Sequence, residues 1–142
     1  KLLEHIIDCD ADPFVPNGLQ VEDHQKGGSF RWESAQVQLY LSEGQKGVKS
    51  MEAIKGYELR RELAGKPVLN ANVLDYLLAH PYLIPEEWKG KVVFFWGTIY
   101  RNSGGDLFVR WLYWACGRWF WWCHCLEGVW HYDDPAALRA SS

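Results

Sequence analysis

The chain has 142 residues, of which 48% are hydrophobic and 23% charged, and its net charge is −3. That length suits one domain, and the near-neutral charge with scattered basic residues excludes nucleic acid as a bulk electrostatic partner. No run of about 18 apolar residues occurs, so no membrane-spanning helix is predicted.

The first residue is Lys1, so the start is read as processed or trimmed, and a removed signal peptide stays open. LLEHIIDC (2–9) reads as a strand or a short helix, and DADPFVPNG (10–18) as a loop. KGG (26–28) is a further break. SAQVQLYLS (34–42) spaces Val37, Leu39 and Leu41 two apart, which favours a strand, although Ser34 could equally cap a short helix. EGQKGVKSMEAIKG (43–56) reads as a loop.

Two helices follow. YELRRELAG (57–65) places Leu59 and Leu63 at i, i+4 and stops at Gly65, with Pro67 just beyond. NANVLDYLLAH (70–80) has Asn70 as its cap, an apolar stripe of Val73, Leu74, Leu77 and Leu78, and Pro81 as its stop. PYLIPEEWKG (81–90) is a Pro-bounded connector.

From Lys91 the period changes. KVVFFWGTIYR (91–101), LFVRWLYW (107–114) and RWFWWCHCL (118–126) read as strands, joined by the turns NSGGD (102–106) and ACG (115–117). The predicted class is α+β: two short helices packed on an antiparallel β-meander. Alternation sets Trp119, Trp121, Cys123 and Cys125 against Phe120, Trp122, His124 and Leu126, and Leu112 and Trp114 against Trp111 and Tyr113. Helices of about two to three turns cover one face of such a meander, not two, so an exposed aromatic patch is expected on the other.

The alphabet of this end is also unusual. Six of the nine tryptophans lie within 109–134. Between Trp111 and Asp134 there is no Lys, Asn, Thr, Ile, Met, Ser or Gln, although all seven occur in residues 1–110. Randomising the two adenines of an AAC codon reaches Phe, Tyr, His, Cys, Asp, Gly, Ala, Val and Arg, but never Lys, Gln, Glu, Met or Trp. A Trp codon holds no adenine. Chance in a short aromatic window is the plain alternative; adenine-directed mutagenesis is the specific one.

The frame PEEWKGKVVFFWGTIYRNSGGDLFVRWLYW, followed by spaced Gly and Trp and by PAAL (85–138), resembles the variable proteins of diversity-generating retroelements. DCDADPFVPNG and GYELRRELAGKPVLNANVLDYLL resemble the same proteins more loosely. In that family an error-prone reverse transcriptase substitutes at adenines, and the product overwrites the 3′ end of a target gene. The resemblance implies a C-type-lectin-like domain over 1–142 with 111–134 as its variable region. It implies a ligand-binding, hypervariable set: Trp111, Tyr113, Ala115, Cys116, Arg118, Phe120, Trp122, Cys123, His124, Gly128, Val129, His131, Tyr132, Asp133 and Asp134. The scaffold would be Leu112, Trp114, Gly117, Trp119, Trp121, Leu126, Trp130 and Pro135. No calcium-site motif of a sugar-binding lectin is present, so calcium-dependent sugar binding is not implied.

Other chemistry is weighed and declined. Cys123-His124-Cys125 invites zinc, but alternation turns His124 away from both thiols. Asp8, Asp10 and Asp12 start like an EF-hand, yet Pro13 and Leu19 stand where that loop needs Gly and Glu. Cys9 beside His5 or His24 has no nucleophile motif, and no phosphate-cradling glycine loop occurs. The expectation is a receptor-like binding module, not an enzyme, with no cofactor and no metal. Its partner would be an unknown protein or surface ligand, its oligomeric state open. The alternatives are a fixed carbohydrate- or peptide-binding module, or a structural subunit whose aromatic face a partner covers. Cysteine usage favours reduced thiols in the cytoplasm, with cell-surface display open.

Overall fold

The computed structural model describes residues 4–46 and 53–140. The predicted loop 43–56 and the N-terminal segment 2–9 therefore lie partly outside the described residues.

The N-terminal segment is extended: β1 (Ile6–Asp8) pairs antiparallel with β3 (Ser29–Arg31), and β2 (Leu19–His24) lies between them in the chain. Residues 34–42 are mainly a strand, preceded by a short turn in which Ser34 is the first residue and not the cap, Glu33 taking the cap position with no side-chain bond. A single 3-10 turn over Ser34–Gln36 runs into β4 (Val37–Tyr40). After β5 (Ile54–Lys55) come α1 (Gly56–Leu63) and α2 (Ala71–Ala79), and the Oδ1 of Asn70 accepts from the amide of Asn72 at 3.1 Å to cap the second helix. The rest is β6 (Val93–Phe94), β7 (Thr98–Asn102), β8 (Leu107–Ala115), β9 (Arg118–Cys125), β10 (Val129–Trp130) and β11 (Ala136–Arg139).

Strands β7, β8 and β9 form the expected antiparallel meander. It belongs to a larger sheet of order β2-β7-β8-β6-β11-β4, with β9 on the free side of β8. One pair is parallel, β11 with β6.

Two expectations are corrected. The stretch 91–101 is two strands, because both pair with the same side of β8 at different heights: Val93 opposite Leu112, and Tyr100 opposite Phe108. The jog falls at Gly97, whose amide donates to Leu69 O at 2.9 Å and where a Cβ would come within 2.7 Å of the Asn70 side chain. Only glycine allows that approach.

The second correction concerns coverage. The helices do not share a face. Val73, Leu74 and Leu77 of α2 are buried with Val93, Phe95, Leu112 and Ala137. Leu59 and Leu63 of α1 are buried on the opposite side with Phe94, Ile99, Val109, Trp130, Ala136 and Leu138. Val93, Phe94 and Phe95 thus alternate between two cores. Among the described residues, no helix is long and apolar enough to cross a membrane.

Candidate functional site

The β8–β9 hairpin is built from eight opposed pairs, from Phe108 and Cys125 to Ala115 and Arg118. Its two-residue loop has Cys116 at φ 51° and Gly117 at φ 80°. Positive φ at both positions is the turn whose twist matches that of the strands. Cys116 is the one non-glycine residue with positive φ among the described residues, a position that costs a side-chain-bearing residue about 1 kcal/mol.

Because β9 pairs only with β8, the hairpin is incompletely covered. On the face toward α2, Leu112 is buried, but Trp114, Trp119 and Trp121 are only half-buried. Among the predicted scaffold tryptophans Trp130 alone is fully buried, and Leu126 and Pro135 of the same set are buried as well. Gly117 is an exposed turn residue. Trp114 meets Trp119 edge-on at 5.3 Å and carries the Lys89 ammonium over its ring at 3.9 Å.

The fifteen positions of the predicted variable set, Cys123 apart, are spread over the hairpin's other face, its tip and the loop after it, and none of the fifteen is buried. Trp122 is 65% exposed and Tyr132 52%. These are the two strongly exposed aromatics of the set, so the expected broad aromatic patch is corrected to two projecting rings among half-covered ones. Trp111 packs edge-on against Tyr113 at 6.2 Å and rests on the second core. Arg118 lies over the Phe120 ring at 4.5 Å, and Ala115 and Cys116 form the tip. Cys123 is half-buried on the α2 side, where burial pushes its thiol up despite the nearby Arg110.

The remaining positions, Asp133 apart, shape an open groove of about 510 Å³. Trp111, His124, Gly128, Val129, His131 and Asp134 line it together with Val92 and Phe94. The His124 ring lies 4.2 Å from that of Trp130, and its Nε2 donates to Val129 O at 3.1 Å. A Cβ on Gly128 would meet that ring at 2.7 Å, so a larger residue at 128 requires the His124 ring to shift or a smaller residue at 124.

The loop's backbone is tied from outside the set. Val92 N donates to Asp133 O at 2.8 Å, Phe94 N to Pro135 O at 2.9 Å and Gly56 N to Gly128 O at 3.0 Å. Gln45, buried, donates from Nε2 to His131 O at 3.0 Å and to Asp134 O at 2.9 Å, while its Oε1 accepts from Ser42 N. One side chain inside the loop also holds it. Asp134 Oδ2 accepts from His131 N at 2.9 Å, and burial pushes this carboxyl up against the pull of that N–H.

Sequence reasoning passed over Gln45, since a glutamine in a loop-like stretch carries no local signal of burial. It also passed over Arg110, a lone cation in an apolar strand, which is the signal that could have found it. Arg110 is buried and forms a two-pronged pair with Asp75, both bonds at 2.9 Å.

The declined chemistry has its own geometry. Cys9 is buried, which pushes its thiol up. His24 bonds Thr98 Oγ1 at 2.9 Å, and His5 bonds the Tyr76 hydroxyl at 2.8 Å. Asp8 accepts from Asp10 N, and Asp10 from Gly28 N. Among the described residues, no group of three or more His, Cys, Asp or Glu is placed to hold a metal ion. Comparison with protein-family models, curated proteins and solved structures finds no match to this chain.

Proposed function

We propose that the protein is a ligand-binding, receptor-like module whose surface over 111–134 is diversified by adenine-directed retroelement mutagenesis. On this reading the α+β frame is a compact C-type-lectin-like domain over 1–142, and it binds rather than catalyses. One observation carries the proposal. All fifteen candidate positions lie outside the buried core, while residues outside the set hold the backbone of the loop at 128–135. A side chain other than that of Asp134, which itself accepts from His131 N, can then change without moving the frame that presents it.

The chemistry is that of a paratope. Trp122, Tyr132 and Phe120 offer rigid contact area at low entropic cost. Arg118, His124, His131, Asp133 and Asp134 set polarity and charge. Trp codons do not arise from AAC, so Trp111 and Trp122 belong to the set by their place in the frame alone.

The test is to replace Phe120, His124, His131 and Tyr132 together by Asn and to measure thermal unfolding. The expected loss is about 1 kcal/mol, because surface substitutions are usually small and only the His124 ring packs on a core residue. Loss of cooperative unfolding would end the reading. The gene's surroundings provide a second test: a near-copy of the segment encoding 111–134 that differs only at its adenines is expected, and differences spread over all four bases count against it.

A further inference from the structure

A second groove lies on the α2 side of the sheet, apart from the variable set. It is open, encloses about 680 Å³, and none of the fifteen positions lines it. Its walls are apolar: Ile6, Phe14, Tyr76 and Trp121. Three carboxylates, Asp8, Asp12 and Asp75, stand among them, and among the described residues no Lys or Arg lines it. Asp75 is already neutralised by Arg110 beneath the floor. Asp8 and Asp12 are exposed, and among the described residues neither is in an ion pair.

The groove continues into an apolar one of about 510 Å³ that shares Phe14 and Trp121 and adds Pro16, Leu19, Phe108 and Trp122. Exposed apolar side chains gather along this line: Ile6 at 48%, Phe14 at 51% and Trp122 at 65%. Clustered apolar exposure of this kind marks binding surfaces.

The groove is also held in shape. Tyr100 Oη donates to Phe14 O at 2.7 Å, and burial pushes this phenol up to about 12, so it stays a donor at neutral pH. Asn72 Nδ2 donates to Asp8 O at 3.0 Å and Ala11 O at 2.9 Å, fastening the acidic turn to α2. The Phe14 ring meets Trp121 edge-on at 5.8 Å. Little ordering is needed on binding, which is what makes a shallow site effective.

We infer that this groove docks a basic, apolar-flanked peptide segment of a partner protein: a lysine or arginine set between Asp8 and Asp12, its stem along Phe14 and Trp121, and a neighbouring apolar residue in the adjoining groove. Charge complementarity selects the occupant. Two uncompensated carboxylates over apolar walls match a cationic head on an aliphatic stem, and repel an acidic segment. None of the variable positions lines the acidic groove, whereas the adjoining groove takes in Trp122 and Cys123 of that set; the inference rests on the acidic groove and so stands independently of the proposed function.

The experiment uses the full chain, labelled with ¹⁵N, and two blocked peptides, Ala-Leu-Lys-Phe-Ala and Ala-Leu-Glu-Phe-Ala. The lysine peptide is expected to shift the amides of Asp8, Asp12 and Phe14 and the Trp121 indole, saturably and more weakly as salt rises from about 0.05 to 0.5 M. Asp8→Asn with Asp12→Asn should weaken binding about fivefold, the sum of two exposed ion pairs. The fold should survive, since Asn keeps the oxygen that accepts from Asp10. The Phe120, His124, His131 and Tyr132 replacement should leave binding unchanged. Equal shifts with the glutamate peptide, shifts confined to 111–134, or none at millimolar peptide would overturn the inference. So would concentration-dependent shifts of the same signals without peptide, which would assign the groove to a second copy.

Discussion

The hairpin and the loop that follows it carry the same kind of residue, yet they are held in opposite ways. The β8–β9 hairpin is held by its own cross-strand ladder, and its outer strand has no further neighbour in the sheet. The loop over 127–135 has almost no ladder of its own and is fastened by Gly56, Val92, Phe94 and Gln45. Both leave side chains free, for different reasons. In the hairpin, the backbone bonds are indifferent to side-chain identity. In the loop, the holding groups, Asp134 apart, belong to other parts of the chain.

The largest expected effect separates a ring that is enclosed from one that is displayed. Trp130→Ala should cost about 4 kcal/mol, because it empties a fully buried site beside Phe94 and Trp96. Trp122→Ala should cost under about 0.5 kcal/mol. Similar costs in denaturant unfolding would erase the distinction between frame and displayed surface.

Gln45→Ala comes next. It strips partners from His131 O, Asp134 O and Ser42 N, and should cost about 2 kcal/mol. Amide exchange should speed up in the loop but not in the hairpin; uniform acceleration would contradict separate fastening. Cys116→Asn works on the hairpin alone and should stabilise by about 0.5–1 kcal/mol, since Asn tolerates φ 51°. An unchanged or lowered melting temperature would mean the turn carries no strain.

The smallest effect is a pH dependence. Burial raises the Asp134 carboxyl above its ordinary 3.8, so the folded state binds this proton more tightly than the unfolded state does. Its contribution is fully present below pH 3.8 and falls as pH rises through the folded value. Asp134→Asn should flatten that part of the stability profile, since Asn keeps the acceptor for His131 N. A profile identical to that of the parent would show that Asp134 is not desolvated.

Much of this frame was legible in residue order. Asn70 and the Val73–Leu77 stripe announce α2, because capping and helical periodicity act within a few residues. NSGGD and the Cys116-Gly117 turn announce the two hairpins of the β7–β8–β9 meander for the same reason. The division of 91–101 was not legible, because Gly97 answers to Asn70, 27 positions away. Nor was the burial of Arg110, whose partner Asp75 arrives from another element.

Residue order by itself determined the α+β content, the meander and the alternation of its aromatic side chains, since these follow from local backbone preference and a two-residue period. Tertiary structure alone decided that α1 and α2 cover opposite faces, that β9 is left at an edge with Trp119 and Trp121 half-covered and Trp122 exposed, and that Gln45 clamps a distant loop. The periodicity of a strand says which residues share a face. It does not say which face another element will cover, because that is settled by contacts between segments far apart in the chain.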